Sequence, residues 1–155
     1  MELGRAKAIA SEVVKRLSPY CQRIEVAGSI RRQEPVVKDI EIVLIPSDAW
    51  NLSHEIMGLG PSRPMGDKLE RVSYDGVRVN LDHASKETWA TLLLIRTGSN
   101  ENNIHLCSLG KEKGWYLAVT GNGLFDENGR RIAVDTEESI YEALGAPWQE
   151  PWERR

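Results

Sequence analysis

Asp39 and Glu41 stand two apart in DIEIVLI (39–45), a run rich in β-branched residues and closed by Pro46. Such a run predicts a strand, and side chains alternate faces along a strand, so both carboxylates leave on the same side while Ile40, Ile42 and Leu44 leave on the other. Two carboxylates held side by side repel each other. Unless they face water, they call for a cation, and hard oxygen ligands of this kind suit Mg²⁺ in company with phosphates. The pair alone is equally compatible with the outward face of an edge strand. Two neighbours strengthen the reading. VRVNLD (77–82) places Arg78, Asn80 and Asp82 on one face of a second strand. Upstream, Gly28-Ser29-Ile30-Arg31-Arg32 follows a short strand at Ile24–Ala27, and a Gly-Ser turn with free N–H groups beside two guanidiniums can cradle a polyphosphate. Phosphate donors and oxygen ligands thus fall within fifteen residues of one another.

The stretch VAGSIRRQEPVVKDIEIVLI resembles the catalytic palm of the nucleotidyltransferase superfamily and, within it, of the family X DNA polymerases. That palm is marked by G-S-x-R-R before a strand carrying D-x-D, with a third Asp on a later strand. The likeness continues through Thr97-Gly98-Ser99, KEKGW (111–115) and DTEESIYEALGAPWQEPWERR (135–155), and so covers nearly the whole chain. It implies transfer of a nucleotide to a DNA 3′ end with Mg²⁺ or Mn²⁺, from nucleoside triphosphates and on a primer-template or gapped DNA. By position, it implies Gly28, Ser29, Arg32, Thr97, Gly98, Asn100 and Asn103 at the nucleotide, Lys68, Arg78 and Arg96 at DNA, and Asp39, Glu41 and Asp82 at the metal. The third carboxylate position is filled by Asn80. An amide is neutral and cannot accept a proton as a base, so reduced or altered activity is expected, with Asp82 a substitute two residues along the same face. The alternative is a catalytically inactive nucleotide- or DNA-end-binding protein that retains the fold. Ile95-Arg96 stands where the family carries an aromatic pair that gates the sugar, and Cys107 where it often has a template-contacting Arg. In extent the chain resembles the small viral members, a palm with one C-terminal subdomain, and weak, salt-sensitive DNA binding follows from that. Viral or prokaryotic origin, a role in DNA repair, a cytoplasmic location and a monomeric state are further expectations.

These residues need a scaffold, and the pattern supplies one of the α+β class: a palm sheet with flanking helices in residues 1–86 and a small α+β C-terminal subdomain in 87–155. Leu3, Ala6, Ile9, Ala10, Val13, Val14 and Leu17 recur at helical spacing and predict a helix over 2–17, stopped by Pro19. Residues 68–73 and 76–82 predict a hairpin about Asp75-Gly76. Ser85 is the expected N-cap of a helix running through Arg96, and another helix is expected from Asn100 to Lys113. Short strands at 116–120, 124–125 and 132–134 precede a last helix begun by Asp135-x-x-Glu138 and ended at Gly145.

Composition excludes several classes. The 155 residues are 41% hydrophobic and 28% charged, which describes a globular domain, and no apolar run approaches a membrane span. Two cysteines, Cys21 and Cys107, are too few for a disulfide framework and form no C-x-x-C pair. The net charge of −3 argues against nucleic acid only until its distribution is read: residues 1–38 hold eight basic and four acidic side chains, gathered around the expected phosphate site.

Overall fold

In the computed structural model, which describes Met1–Arg155, the palm grows from one helix and one mixed sheet. Helix α1 (Leu3–Leu17) buries Ala6, Ile9, Ala10, Val13 and Leu17, the stripe its spacing predicts. Strands β1 (Cys21–Val26), β2 (Ile40–Pro46), β3 (Ser62–Pro64), β4 (Leu69–Tyr74) and β5 (Val77–His83) form a sheet ordered β1-β2-β5-β4-β3. β2 and β5 run parallel and sit inside the sheet; the other pairings are antiparallel. The connection between that parallel pair includes α3 (Ala49–Leu59), to which the sequence reading assigns no element. Its signals are present: Leu52, Ile56 and Leu59 share one buried stripe, and Asp48 caps the first turn by accepting from Asn51 N–H at 3.1 Å.

The two faces of the sheet differ. Ile40, Ile42 and Leu44 of β2 and Val79 and Leu81 of β5 pack with α1 and α3 into a sixteen-residue core. On the opposite face, β2 presents Glu41, then Val43 and Ile45, and the latter two are buried beneath α4 (Trp89–Thr97) together with Trp89, Leu92 and Leu93. Along β2 the carboxylate face is therefore covered from Val43 onward and open at Glu41. α4 begins later than expected: Thr88 is its N-cap, while Ser85 forms a turn in which its hydroxyl accepts from Thr88 N–H at 3.3 Å.

Beyond α4, α5 (Asn100–Glu112) is capped by Ser99, and a three-stranded sheet of β6 (Tyr116–Leu117), β7 (Leu124–Phe125) and β8 (Arg131–Ile132) leads into α6 (Glu137–Leu144). Thr136, not Asp135, caps α6, with Ser139 closing the reciprocal pair, because a Thr-x-x-Ser hydroxyl exchange satisfies both N–H groups one residue later than Asp135-x-x-Glu138 would. These elements enclose a second core of ten buried residues, including Leu94, Leu106, Leu117, Ile140 and Tyr141. The result is α+β, a mixed five-stranded sheet followed by a small three-stranded one. No helix is long and apolar enough to cross a membrane.

Candidate active site

Gly28 and Ser29 open a four-residue helix, α2 (Gly28–Arg31), rather than a loop; its first-turn N–H groups have no acceptor within the helix. The Ala27 N–H donates to the Glu41 carbonyl at 2.7 Å, which lays α2 against β2. Gly28 has φ +63°, and a Cβ there would lie 2.9 Å from Cγ of Glu41. Only glycine permits both the left-handed backbone and the close approach. Gly28→Ala is expected to lower stability by about 1–2 kcal/mol through the backbone alone, measurable by urea unfolding, and to displace the Glu41 side chain as well.

α2, the start of β2 and the end of α4 enclose a cavity of about 320 Å³ lined by Gly28, Ser29, Arg32, Lys38, Asp39, Glu41, Ile95, Arg96, Gly98 and Asn100. Eight of the residues assigned to the site from sequence meet here: Gly28, Ser29, Arg32, Asp39, Glu41, Arg96, Gly98 and Asn100. Lys38 is a lining residue that the motif reading did not single out. Thr97 serves from behind: its hydroxyl accepts from Arg31 Nη1 at 2.9 Å and its carbonyl from Arg32 Nη1 at 2.6 Å. A second cavity of about 580 Å³ shares Ile95, Arg96 and Asn100 with the first and adds Asn103, Ile104 and Cys107. Asn103 donates to the Ile95 carbonyl at 2.9 Å and leaves its own buried Oδ1 without a partner. Lys68 lies elsewhere: its ammonium donates to Asn122 Oδ1 at 2.6 Å, beside a third hollow that Asp82 and Arg96 also line.

The pairing of β2 with β5 places Glu41 opposite Asn80 and Val43 opposite Asp82. Asn80 Nδ2 donates to Glu41 Oε1 at 2.7 Å, and Asn80 Oδ1 accepts from Arg71 Nε at 2.9 Å. Both ends of the amide are engaged. Arg71 was not legible as a site residue, because its contact depends on the hairpin register that sets it across from Asn80. At the mouth, Arg78 Nε donates to Asp39 Oδ1 at 3.1 Å. Asp82, 1% exposed under α4, is ion-paired with Arg96 at 2.9 Å, and its Oδ2 has no hydrogen-bond partner. The three polar residues of β5 thus share a face, as alternation requires, yet each meets a different neighbour. No group of three or more His, Cys, Asp or Glu side chains is gathered as a ready-made metal site.

Of these carboxyls, Glu41 alone has no ion-pair partner. Burial pushes the Glu41 pKa from 4.5 up to about 7; the Asn80 hydrogen bond opposes this, and the charges of Asp82 and Asp39 add to it. Asp82 is also raised, by burial, against the pull of Arg96. Buried oxygens that resist ionisation, one without a partner, fit a hard cation that would supply the missing positive charge. The sign of the pH dependence follows. A carboxyl whose folded pKa lies above its unfolded value holds a proton that the unfolded chain has released, so its contribution to stability is full below pH 4.5 and lost as pH rises through 7. In chelator, urea unfolding is expected to show stability falling across that window, and Glu41→Gln is expected to flatten the fall.

Residues 92–155 match the DNA polymerase beta thumb family. The DNA polymerase/3'-5' exonuclease PolX of Bacillus subtilis (strain 168) is 26% identical over 154 residues, covering 94% of this chain and 27% of that protein. The chain therefore spans only about a quarter of the length of this curated relative. Among solved structures, Leishmania infantum polymerase beta is similar in its ternary P/T complex, with a TM-score of 0.84 and 17% identity over 100% of this chain and 76% of that one. Its ternary gap complex gives a TM-score of 0.85 and 16% identity, covering 99% and 70%. The chain thus has the polymerase beta-like fold of the family X DNA polymerases, and its residues 92–155 match the thumb of that fold.

Proposed function

We propose that the chain is a nucleotidyltransferase that adds nucleotides to a DNA 3′ end, at a rate limited by Asn80. The observation that carries this reading is the shared cavity: Gly28, Ser29 and Arg32 on one wall can hold phosphates, and Asp39 and Glu41 face them on another. Asp39 and Glu41 would hold Mg²⁺ or Mn²⁺, with the unpartnered Asp82 oxygen the third candidate ligand, and the ion would neutralise charge developing on the transferred phosphoryl group. Arg32, tied to the Thr97 carbonyl, orients toward the triphosphate from a fixed base. Asn80 cannot take the proton of the attacking hydroxyl. Its amide positions Glu41 instead, while Arg71 holds its other end. Arg96, anchored by Asp82, borders the nucleotide cavity and the larger one beside it, where Asn100 and Asn103 would meet the base. In this reading residues 1–86 form the palm and residues 87–155 the subdomain that covers the nascent base pair. DNA, through Lys68, Arg78 and Arg96, is the partner.

Primer extension on gapped DNA with Mg²⁺ or Mn²⁺ tests the proposal. Incorporation above the background of Asp39→Ala is expected, and none above it would overturn the enzyme reading. One observation favours the alternative of a silent nucleotide- or DNA-end-binding protein: in the present arrangement Arg78 and Arg71 occupy Asp39 and Asn80. That alternative predicts triphosphate binding, insensitive to Asp39→Asn, with no turnover.

A further inference from the structure

Two strands away from Glu41, on the same face of the sheet, lies a small hollow of about 210 Å³ lined by Pro61, Ser62, Arg63, Arg71, Ser73 and Arg78. Strand pairing explains the arrangement. Arg63 is opposite Arg71, and Ser73 is opposite Arg78, so three arginines from three consecutive strands converge on a hollow that two serines also line. No carboxylate lines the hollow. Two of the three cations are already oriented from behind: Arg71 spends its Nε on Asn80 and Arg78 spends its Nε on Asp39, which leaves their terminal N–H groups unspent. Arg63 enters no ion pair at all. Asp39 offsets only Arg78, so Arg63 and Arg71 stand without a counter-charge; such like charges are costly unless an anion joins them, and guanidinium forks match phosphate oxygens in shape as well as charge.

We propose that this hollow binds one backbone phosphate of the nucleic-acid strand whose 3′ end is extended, with Arg63 and Arg71 as binding residues beyond those the family motifs supply. The inference rests on the proposed function for its occupant. At about 4.8 Å between strands, the hollow's centre at β4 is roughly 10 Å from the carboxylates of β2, too far to be part of the triphosphate cradle and near enough to hold a strand whose end reaches Glu41. A hollow of this size takes one phosphate group, so the contact fixes the register of the strand and carries no base information.

The test uses Arg63→Gln, which touches neither Asp39 nor Asn80, and Arg63→Lys, which keeps the charge. Binding of a primer-template is measured by fluorescence anisotropy across salt concentrations, with single phosphates of the extended strand replaced in turn by neutral methylphosphonates. Arg63→Gln is expected to weaken binding roughly three- to tenfold and to reduce the salt slope by about 1, with Arg63→Lys closer to wild type. One methylphosphonate position should weaken wild-type binding but not that of Arg63→Gln. If DNA binds and no position couples to Arg63, the inference is overturned and the functional reading stands. Titration with inorganic phosphate, followed at the arginine Nε–H resonances, separates the opposite case. Resonances of Arg63 and Arg71 that move with phosphate in a chain that binds no DNA would keep the anion site but reject a DNA strand as its occupant, and with it the functional reading. Resonances that do not move, together with no DNA binding, would reject both.

Discussion

Asn80→Asp is expected to raise the rate of nucleotide incorporation at least tenfold, and up to about a hundredfold, in primer extension with Mg²⁺. A positioned general base typically contributes 10²–10⁴ in rate, and Asn80 sits directly across from Glu41, a cavity-lining residue to which its amide is hydrogen-bonded. The gain should be partial, because Arg71, now bound to Asn80 Oδ1 at 2.9 Å, would pair with the new carboxylate and lower its basicity. The same substitution removes the hydrogen bond that Glu41 accepts at 2.7 Å and places a second negative charge against a carboxyl already pushed up to about 7. Without metal, the variant is therefore expected to unfold at lower urea than wild type. Mg²⁺ should abolish the difference, because a cation between the two carboxylates stabilises only the folded state. An unchanged rate would mean that this position does not limit chemistry.

Glu137→Ala is expected to cost about 3–5 kcal/mol, the penalty of leaving buried charges without their partner. Against a total stability of about 5–15 kcal/mol for a domain, that is a large fraction. Glu137 accepts from Arg31 at 2.9 and 2.6 Å and from Arg154 at 2.7 Å. Arg154 is wholly buried, its guanidinium 5.4 Å from the Tyr141 ring and 4.9 Å from that of Trp148. Burial alone would raise the Glu137 pKa, but the two arginines win and hold it below the usual carboxylate range. The ion pairs therefore stabilise the fold above the ordinary carboxylate pKa, and the contribution is lost as pH falls through the depressed one. Arg31 belongs to α2 and also bonds Thr97, so the cluster joins the proposed phosphate cradle to α6 and to Arg154. Urea unfolding of Glu137→Ala, Arg154→Ala and the double variant measures the coupling. The double variant should lose less than the two single variants added together, because the second substitution removes a charge that the first had stranded.

How much of this was legible beforehand depended on how local each cause is. The α1 stripe, the β2 strand with its two carboxylates on one face, and the Asp75-Gly76 hairpin follow from periodicity and turn chemistry within a few residues. Asp75 and Gly76 do take φ values of +52° and +72°, the double left-handed turn that Asp-Gly permits. Helix starts were less legible: Ser85 and Thr88 spend their hydroxyls on each other in a turn, so α4 begins only after Thr88 and without a side-chain cap, and at α6 the Thr136–Ser139 exchange prevails over Asp135. Helix α3 was missed between two Pro- and Gly-bearing segments although its stripe was present in sequence.

Within the site, residue types and spacing alone determined that Asp39 and Glu41 share a face and that Gly28 and Ser29 follow a strand; that Asn80 puts an amide where a carboxylate was expected is what the family resemblance implied. Only the tertiary structure decided what each of them meets. The parallel register of β2 with β5 sets Asn80 against Glu41, the placement of α4 buries Asp82 and pairs it with Arg96, and the hairpin brings Arg71 to the amide. Alternation along a strand is a property of the backbone and can be read from the chain. The partner across the strand, and the charge that neutralises a buried carboxylate, depend on residues up to dozens of positions away, whose approach is set by packing.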